Sequence, residues 1–488
     1  MDMYTNRIGR GFWILLNAGL LIVGYLMLHE SVPFIQRNTT GYPPFTALTK
    51  YLQPVMDTCS DDALLTAWEA APTPAVVAPA QAVPEPDTPV PYLGGEKMLR
   101  FLEALHKLEK SSDRKVRIAY FGDSFIEGDL VTQSLRNDLQ ERFGGEGVGF
   151  VPITSPAAGF RKTIRQTASK DWQRHSFLKD NPTQYDFGIS GELFLGPDNT
   201  SQNESSLWVR YEGQETYPKT RNFRRVKLFY GKPETPATHH YMVRTMGNQS
   251  DTLRLEPGGP VNQVLLAQGK TEEIRLDFAV NEQLPIYGLS FESTQGLHLD
   301  NFASRGNSGM SLVNLTPTVL QRFNRHFNYD LVVLHYGLNV ISQGRTSYAS
   351  YEKGMKRVIE HLKENLPGAD ILLISVSDKS FKIDGEMKTD PCVPLLVESQ
   401  KRIASETGVA FLNLYEKMGG ANSMVKWVEQ EPALAHHDYT HPNRRGAEKV
   451  SQIIGSFLMR EYQVFVEADQ GVPNRNADHK ARLHTSRD

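Results

Sequence analysis

"VRIAYFGDSFIEGD", Val116 to Asp129, reads as a buried strand that breaks off at Gly-Asp-Ser and then turns acidic. The tripeptide alone is an ordinary turn signal, so its meaning depends on the chain around it. Downstream, an amphipathic helix is expected near Gln133 to Phe143, after which the strand-helix alternation stops. Between Phe160 and Asp300 the chain offers only short alternating runs such as "SLWVRYE", "RVKLFYG" and "EIRLDFAV", separated by Gly, Pro, Asn and Asp. That spacing predicts an inserted antiparallel β-sandwich. The alternation then resumes with "DLVVLHYG", a helix over Tyr348 to Glu364, "DILLISVS", a helix over Pro394 to Glu406, "VAFLNLY" and a last helix from Pro442 to Tyr462. The fold class is therefore α/β, a doubly wound parallel sheet interrupted by a β insert.

A chain of 488 residues exceeds what one core usually organises, and its charge of -3 leaves no basic footprint for nucleic acid. The two cysteines, Cys59 and Cys392, form no metal-binding or redox spacing, and no cofactor is called for. The uncharged run Gly11 to Leu28 has about the length of a bilayer-spanning helix and follows Arg7 and Arg10. It predicts a single-pass anchor in the cytoplasmic membrane, with everything after it exported. A Pro/Ala-rich stretch, Ala71 to Tyr92, reads as an extended stalk. The expected organisation is an anchor at 1–30, a stalk at 31–93, an α/β part at 94–159, the insert at 160–300, a second α/β part at 301–466 and a polar tail at 467–488.

In a parallel α/β sheet the carboxyl ends of the strands carry the site, and Ser124 falls at the end of the first. A base should lie at another such end. "HHDYTHPNRRG", His436 to Gly446, places Asp438 and His441 three apart in a turn before the last helix. There His441 could take the proton from Ser124 while Asp438 holds its tautomer. The group His436, His437, Asp438 and His441 also admits a metal reading, but adjacent histidines point apart and no second ligand motif completes the set. Two further loops offer oxyanion donors: "RGNSGMS" with Gly309, and "LHYGLNVIS" with Asn339.

Together and in this order the four segments resemble the SGNH (GDSL-type) hydrolase family, over Val116 to Gly159 and Asn301 to Tyr462. The resemblance implies that Ser124 is the nucleophile, that Asp438 and His441 complete the triad, and that Gly309, Asn339 and the Ser124 N–H form the oxyanion hole. One departure is Val340, where the family usually has Asp. Anchor and insert together are similar to bacterial cell-envelope O-acetylesterases, whose insert is carbohydrate-binding-like. The implied activity is removal of small acyl groups from a cell-envelope polysaccharide or peptidoglycan. Two alternatives stand beside it: acetyl transfer to an exported glycan with a membrane-bound O-acyltransferase partner, and a non-catalytic glycan-binding protein. Trp172, Trp208, Tyr211 and Tyr230 are the insert's candidate sugar platforms, with core as the commoner role for each. Removing the insert is expected to spare turnover of small esters.

Overall fold

The computed structural model describes residues 93–179, 185–197, 207–233, 240–278 and 283–470. The expected anchor, nearly all of the stalk, and Cys59 lie outside these residues. No helix among the described residues is long and apolar enough to cross a membrane.

Five parallel strands form the central sheet: β1 (Lys115–Gly122), β2 (Gly296–Ala303), β3 (Leu331–His335), β4 (Asp370–Ile374) and β5 (Ala410–Leu412). Their spatial order is β2-β1-β3-β4-β5, the flavodoxin-like doubly wound order. Every residue of β3 is buried, so both faces of the sheet are covered. The covering helices are α1 (Leu99–Ser111), α2 (Thr132–Phe143), α3 (Pro317–Phe327), α4 (Ala349–Asn365), α5 (Cys392–Thr407) and α6 (Arg444–Asp469). In α1 the stripe Phe101, Leu102, Leu105 and Leu108 is buried at helical spacing, as its sequence period requires. Helices α1, α2 and α6 pack on one another, and α4 packs on α3 and α5.

The last helix starts at Arg444 instead of Pro442. Asn443 is its N-cap, with a side chain that accepts from the Gly446 N–H, while Pro442 bridges back to Ala435. The helix also runs past its expected end at Tyr462 to Asp469.

The region after α2 builds two antiparallel sheets. One contains, in order, Asn262–Thr271, Phe223–Tyr230, Ile286–Glu292, Glu192–Leu195 and Gln173–Ser176, with Gly149–Val151 also paired to Ile286–Glu292. The other contains Ile164–Ala168, Leu207–Gly213, Glu273–Phe278, His240–Met246 and Gln249–Leu255. Val226, Leu228 and Phe291 from the first, and Val209, Tyr211 and Ile274 from the second, share one apolar cluster.

The boundaries differ from 160–300 at both ends. Gly149–Val151 already belongs to the antiparallel region, whereas Gly296–Ala303 is strand β2 of the parallel sheet. "GLHLDNFA" hides its strand character because His298, Asp300 and Asn301 are polar yet buried. The burial of Asp300 is made possible by Arg117 of β1, which donates to Asp300 (2.7 and 2.8 Å), Glu292 (2.5 Å) and Ser290 (3.0 Å), while Asn301 Nδ2 donates to the Ile126 carbonyl (2.9 Å) and to Thr132 Oγ1 (2.7 Å). Lys115 and Lys227 each reach Glu292 at 2.8 Å, and Tyr329 donates to Asp300 at 2.7 Å. This ionic knot ties the insert's strand Ile286–Glu292 to the parallel sheet.

Candidate active site

Strand β1 ends at Gly122, level with His335 of β3 and Ala303 of β2. Asp123 then caps a short 3-10 turn, Ser124–Asp129, by accepting the Phe125 N–H at 2.9 Å. That cap fixes Ser124 as the first residue of the turn, above the strand ends. The chain reverses through Gly128 (φ 64°) and Asp129 (φ 65°). A side chain at Gly128 would begin 2.7 Å from Phe160 Cβ, so only glycine fits. Asp129 is fully buried and accepts from Arg136 (2.8 Å, twice), Thr163 (3.0 Å) and the Thr132 hydroxyl. Burial pushes the Asp129 carboxyl up, but Arg136, Arg161 and the Thr132 hydroxyl together outweigh burial and hold it below the usual carboxylate value. The acidic end of the opening motif is thus an anchor for the turn.

The second element is the tight loop before α6. The His436 N–H donates to the His441 carbonyl at 3.0 Å, and Tyr439 takes a left-handed φ of 52°. Asp438 Oδ1 accepts the Thr440 and His441 N–H groups, each at 3.0 Å, and Oδ2 lies 2.8 Å from His441 Nδ1. Burial alone would raise the Asp438 carboxyl. The hydrogen bonds from the His441 ring and from the two N–H groups outweigh it and hold the group well below the carboxylate range. An ionised Asp438 makes Nδ1 the donor of the imidazole and leaves Nε2 as an acceptor. Nε2 lies 3.0 Å from Ser124 Oγ. Ser124, His441 and Asp438 therefore form one hydrogen-bonded line, while His436 and His437 are exposed beside it.

Gly309 and Asn339 sit in loops that meet behind the serine, but their donors are engaged. Gly309 has φ 94°, where a Cβ would meet the Tyr336 ring at 2.8 Å, and its N–H donates to Asn307 Oδ1 at 2.7 Å. Asn339 Nδ2 donates to Asp123 Oδ2 (3.0 Å) and to the Asn307 carbonyl (3.1 Å). In this structure these donors are satisfied between the loops. Two residues that sequence reasoning passed over hold the arrangement together. Asp123 is buried, and burial raises its carboxyl from 3.8 to about 6. Asn307 is buried, with an Nδ2 that has no partner among the described residues. The available signal was positional: Asn two residues before a glycine, and Asp beside a turn, are both side chains that bond their local backbone. Val340 is 3% exposed and belongs to the main apolar cluster, so the third loop keeps its turn with an apolar plug.

The family model described as GDSL-like lipase/acylhydrolase matches residues 282–449. The chain carries an SGNH hydrolase domain. The match takes in Gly309, Asn339, Asp438 and His441 but not Ser124, which the antiparallel region separates from them in sequence. With the serine brought back in space, this SGNH hydrolase is a serine esterase acting on acyl esters. No curated protein matches the sequence. Among solved structures, one of a peptidoglycan O-acetylesterase is 20% identical, with a TM-score of 0.60 over 75% of this chain and 96% of that one. An acetyl xylan esterase is 21% identical (TM-score 0.26, 33% and 80% covered). A family two carbohydrate esterase from Cellvibrio japonicus is 11% identical (TM-score 0.25, 62% and 99% covered). At these identities the first likeness speaks for the fold.

Three of the four insert aromatics are core: Trp172, Tyr211 and Tyr230 are 8%, 0% and 2% exposed. Trp208 is half-buried under the Arg275 guanidinium, 4.4 Å from its ring centre. Among the described residues, the exposed aromatics are Phe160 and Tyr241.

Proposed function

We propose that this SGNH hydrolase removes O-acetyl groups from a cell-envelope glycan of the peptidoglycan or polysaccharide type. The observation that carries the reading is the Ser124–His441–Asp438 line at the carboxyl end of the parallel sheet. His441 takes the proton from Ser124 Oγ as it attacks the acetyl carbonyl. It then returns that proton to the departing sugar hydroxyl, leaving an acetyl-serine. Water, deprotonated by the same imidazole, releases acetate. Asp438 holds the imidazole tautomer and stabilises the imidazolium. The Ser124 N–H, Gly309 N–H and Asn339 amide serve the developing oxyanion, the last two by releasing Asn307 and Asp123 as charge appears.

Acetyl transfer to a sugar hydroxyl, with a membrane-bound O-acyltransferase as partner, would use the same intermediate. Hydrolysis is favoured because the His441 and Asp438 side chains are 38% and 49% exposed, which leaves water a path to the intermediate. The run Gly11 to Leu28 would tether the enzyme to the cytoplasmic membrane, facing its glycan. The two antiparallel sheets would present the polymer, in the manner of a carbohydrate-binding module.

The test is acetate release from acetylated peptidoglycan and acetylated polysaccharide, with and without an added acceptor sugar. Wild type should release free acetate, and Ser124→Ala should release none while keeping its circular dichroism. Acetylated acceptor with no free acetate would establish the transferase instead. Undiminished release by Ser124→Ala would remove the serine from the mechanism.

A further inference from the structure

A narrow crevice of about 30 Å³ lies where the nucleophile turn meets the antiparallel region, walled by Glu127, Gly128, Arg161, Arg174, Ser190 and Glu192. Glu127 and Gly128 follow Ser124 by only three and four residues. The acidic walls already have partners: Arg305 Nε reaches Glu127 at 2.8 Å, and Arg174 Nε reaches Glu192 at 2.8 Å. Arg161 is different. It is 8% exposed, yet its Nε and Nη1 find no partner among the described residues, and neither does the buried hydroxyl of Ser190. Burying a guanidinium with bare N–H groups is costly unless something completes its hydrogen bonds. Asp129, which attracts Arg161 through space, has both oxygens committed to Arg136, Thr132 and Thr163.

We infer that this crevice is a subsite for a carboxylate of the glycan, bound by Arg161 and Ser190 beside the acyl group that Ser124 attacks. The inference rests on the glycan-ester reading above and narrows its substrate to acidic sugars. Three guanidiniums, of Arg161, Arg174 and Arg305, face two carboxylates, which leaves one unmatched positive charge. That balance suits a monoanion and disfavours a phosphate dianion next to Glu127 and Glu192. The volume admits a group of carboxylate size and no whole sugar, so the ring itself stays outside. Phe160, the residue before Arg161, is 59% exposed and packs its Cβ against Gly128. Its ring is an apolar surface for that sugar, set beside the polar crevice.

The decisive experiment compares pairs of acetylated oligosaccharides that differ only in charge: an acetylated uronic acid oligomer, and an acetylated amino-sugar oligomer with its carboxylate on a side chain, each against its carboxyl-reduced form. In wild type, kcat/KM for at least one acidic form should exceed that of its reduced form by roughly tenfold or more, the scale of a hydrogen bond to a charged group. Whichever pair shows the preference identifies the source of the carboxylate. In Arg161→Met the ratio should collapse towards one, carried by KM. Loss of fold would lower both substrates together and leave the ratio, and Arg161→Lys should restore part of it. A wild-type ratio near one for both pairs overturns the subsite.

Binding of the deacetylated oligosaccharides to Ser124→Ala, measured by calorimetry, separates the two readings. Hydrolysis of nitrophenyl acetate but of none of the sugars would sink the glycan-ester proposal. Tighter binding of an acidic sugar than of its reduced form would still support the subsite, and equal binding would overturn it.

Discussion

Asp123 stands directly behind the serine, and its buried carboxyl makes the site sensitive to proton concentration. Its folded pKa of about 6 lies above the ordinary 3.8, because burial disfavours the charge. The folded state therefore holds this proton more tightly than the unfolded chain does. Stability contributed by neutral Asp123 is full below pH 4 and is lost as pH rises towards 6, by roughly 3 kcal/mol for a shift of about two units. Asp123→Asn carries no such titration. The Tm of the variant relative to wild type should rise between pH 4 and pH 7, and a flat difference would show that Asp123 does not titrate there. Asn339 is coupled to it. Asn339→Ala should lower kcat by roughly 10²-fold with little change in KM, the usual effect of losing one oxyanion donor. It should also lower Tm, since Asp123 Oδ2 loses its donor. A lower Tm with unchanged kcat would make Asn339 a support for Asp123 alone.

Among the elements, those with continuous apolar runs were plain in the sequence: "DLVVLHYG", "DILLISVS" and "VAFLNLY" contain β3, β4 and β5, because strands buried on both faces need no polar residues. Strand β2 was not legible, since its burial of Asp300 depends on Arg117, 183 residues from Asp300 in the chain. The Ser, His and Asp of the site could be read because each occupies a local turn motif, Ser124 directly after β1 and Asp438 and His441 directly before α6. Asn307 and Asp123 could not, because their importance lies in contacts between loops. Val340 supports a prediction at this scale. Val340→Asp, which restores the usual family residue, should lower Tm by several degrees without raising kcat, because the position is buried in the apolar cluster. An increase in activity at unchanged Tm would mean that the loop has room for the carboxylate.

At the scale of the whole molecule the antiparallel region is fastened in place, contrary to the expectation that it could be removed. Arg117 is 1% exposed and spends its guanidinium on Ser290 and Glu292 at the end of that region and on Asp300 of β2. Excision would leave a buried cation short of its partners. Arg117→Met, which leaves the buried Asp300 carboxylate without a cation, should cost about 3–5 kcal/mol in urea unfolding. A deletion joining Gly147 to Gly296 should give insoluble protein, and a soluble deletion active on nitrophenyl acetate would refute that coupling. The same layout has a meaning in time. Strand β1 cannot gain its β2 neighbour until the chain has reached Gly296, and Ser124 waits 317 residues for His441. Pairings that close loops of this length form slowly, because the ordering entropy comes due before the contacts that offset it. A growing chain therefore makes its serine 317 residues before its base. Every product that stops short of His441 lacks the means to activate that hydroxyl, so hydrolysis reports a chain that has passed that residue.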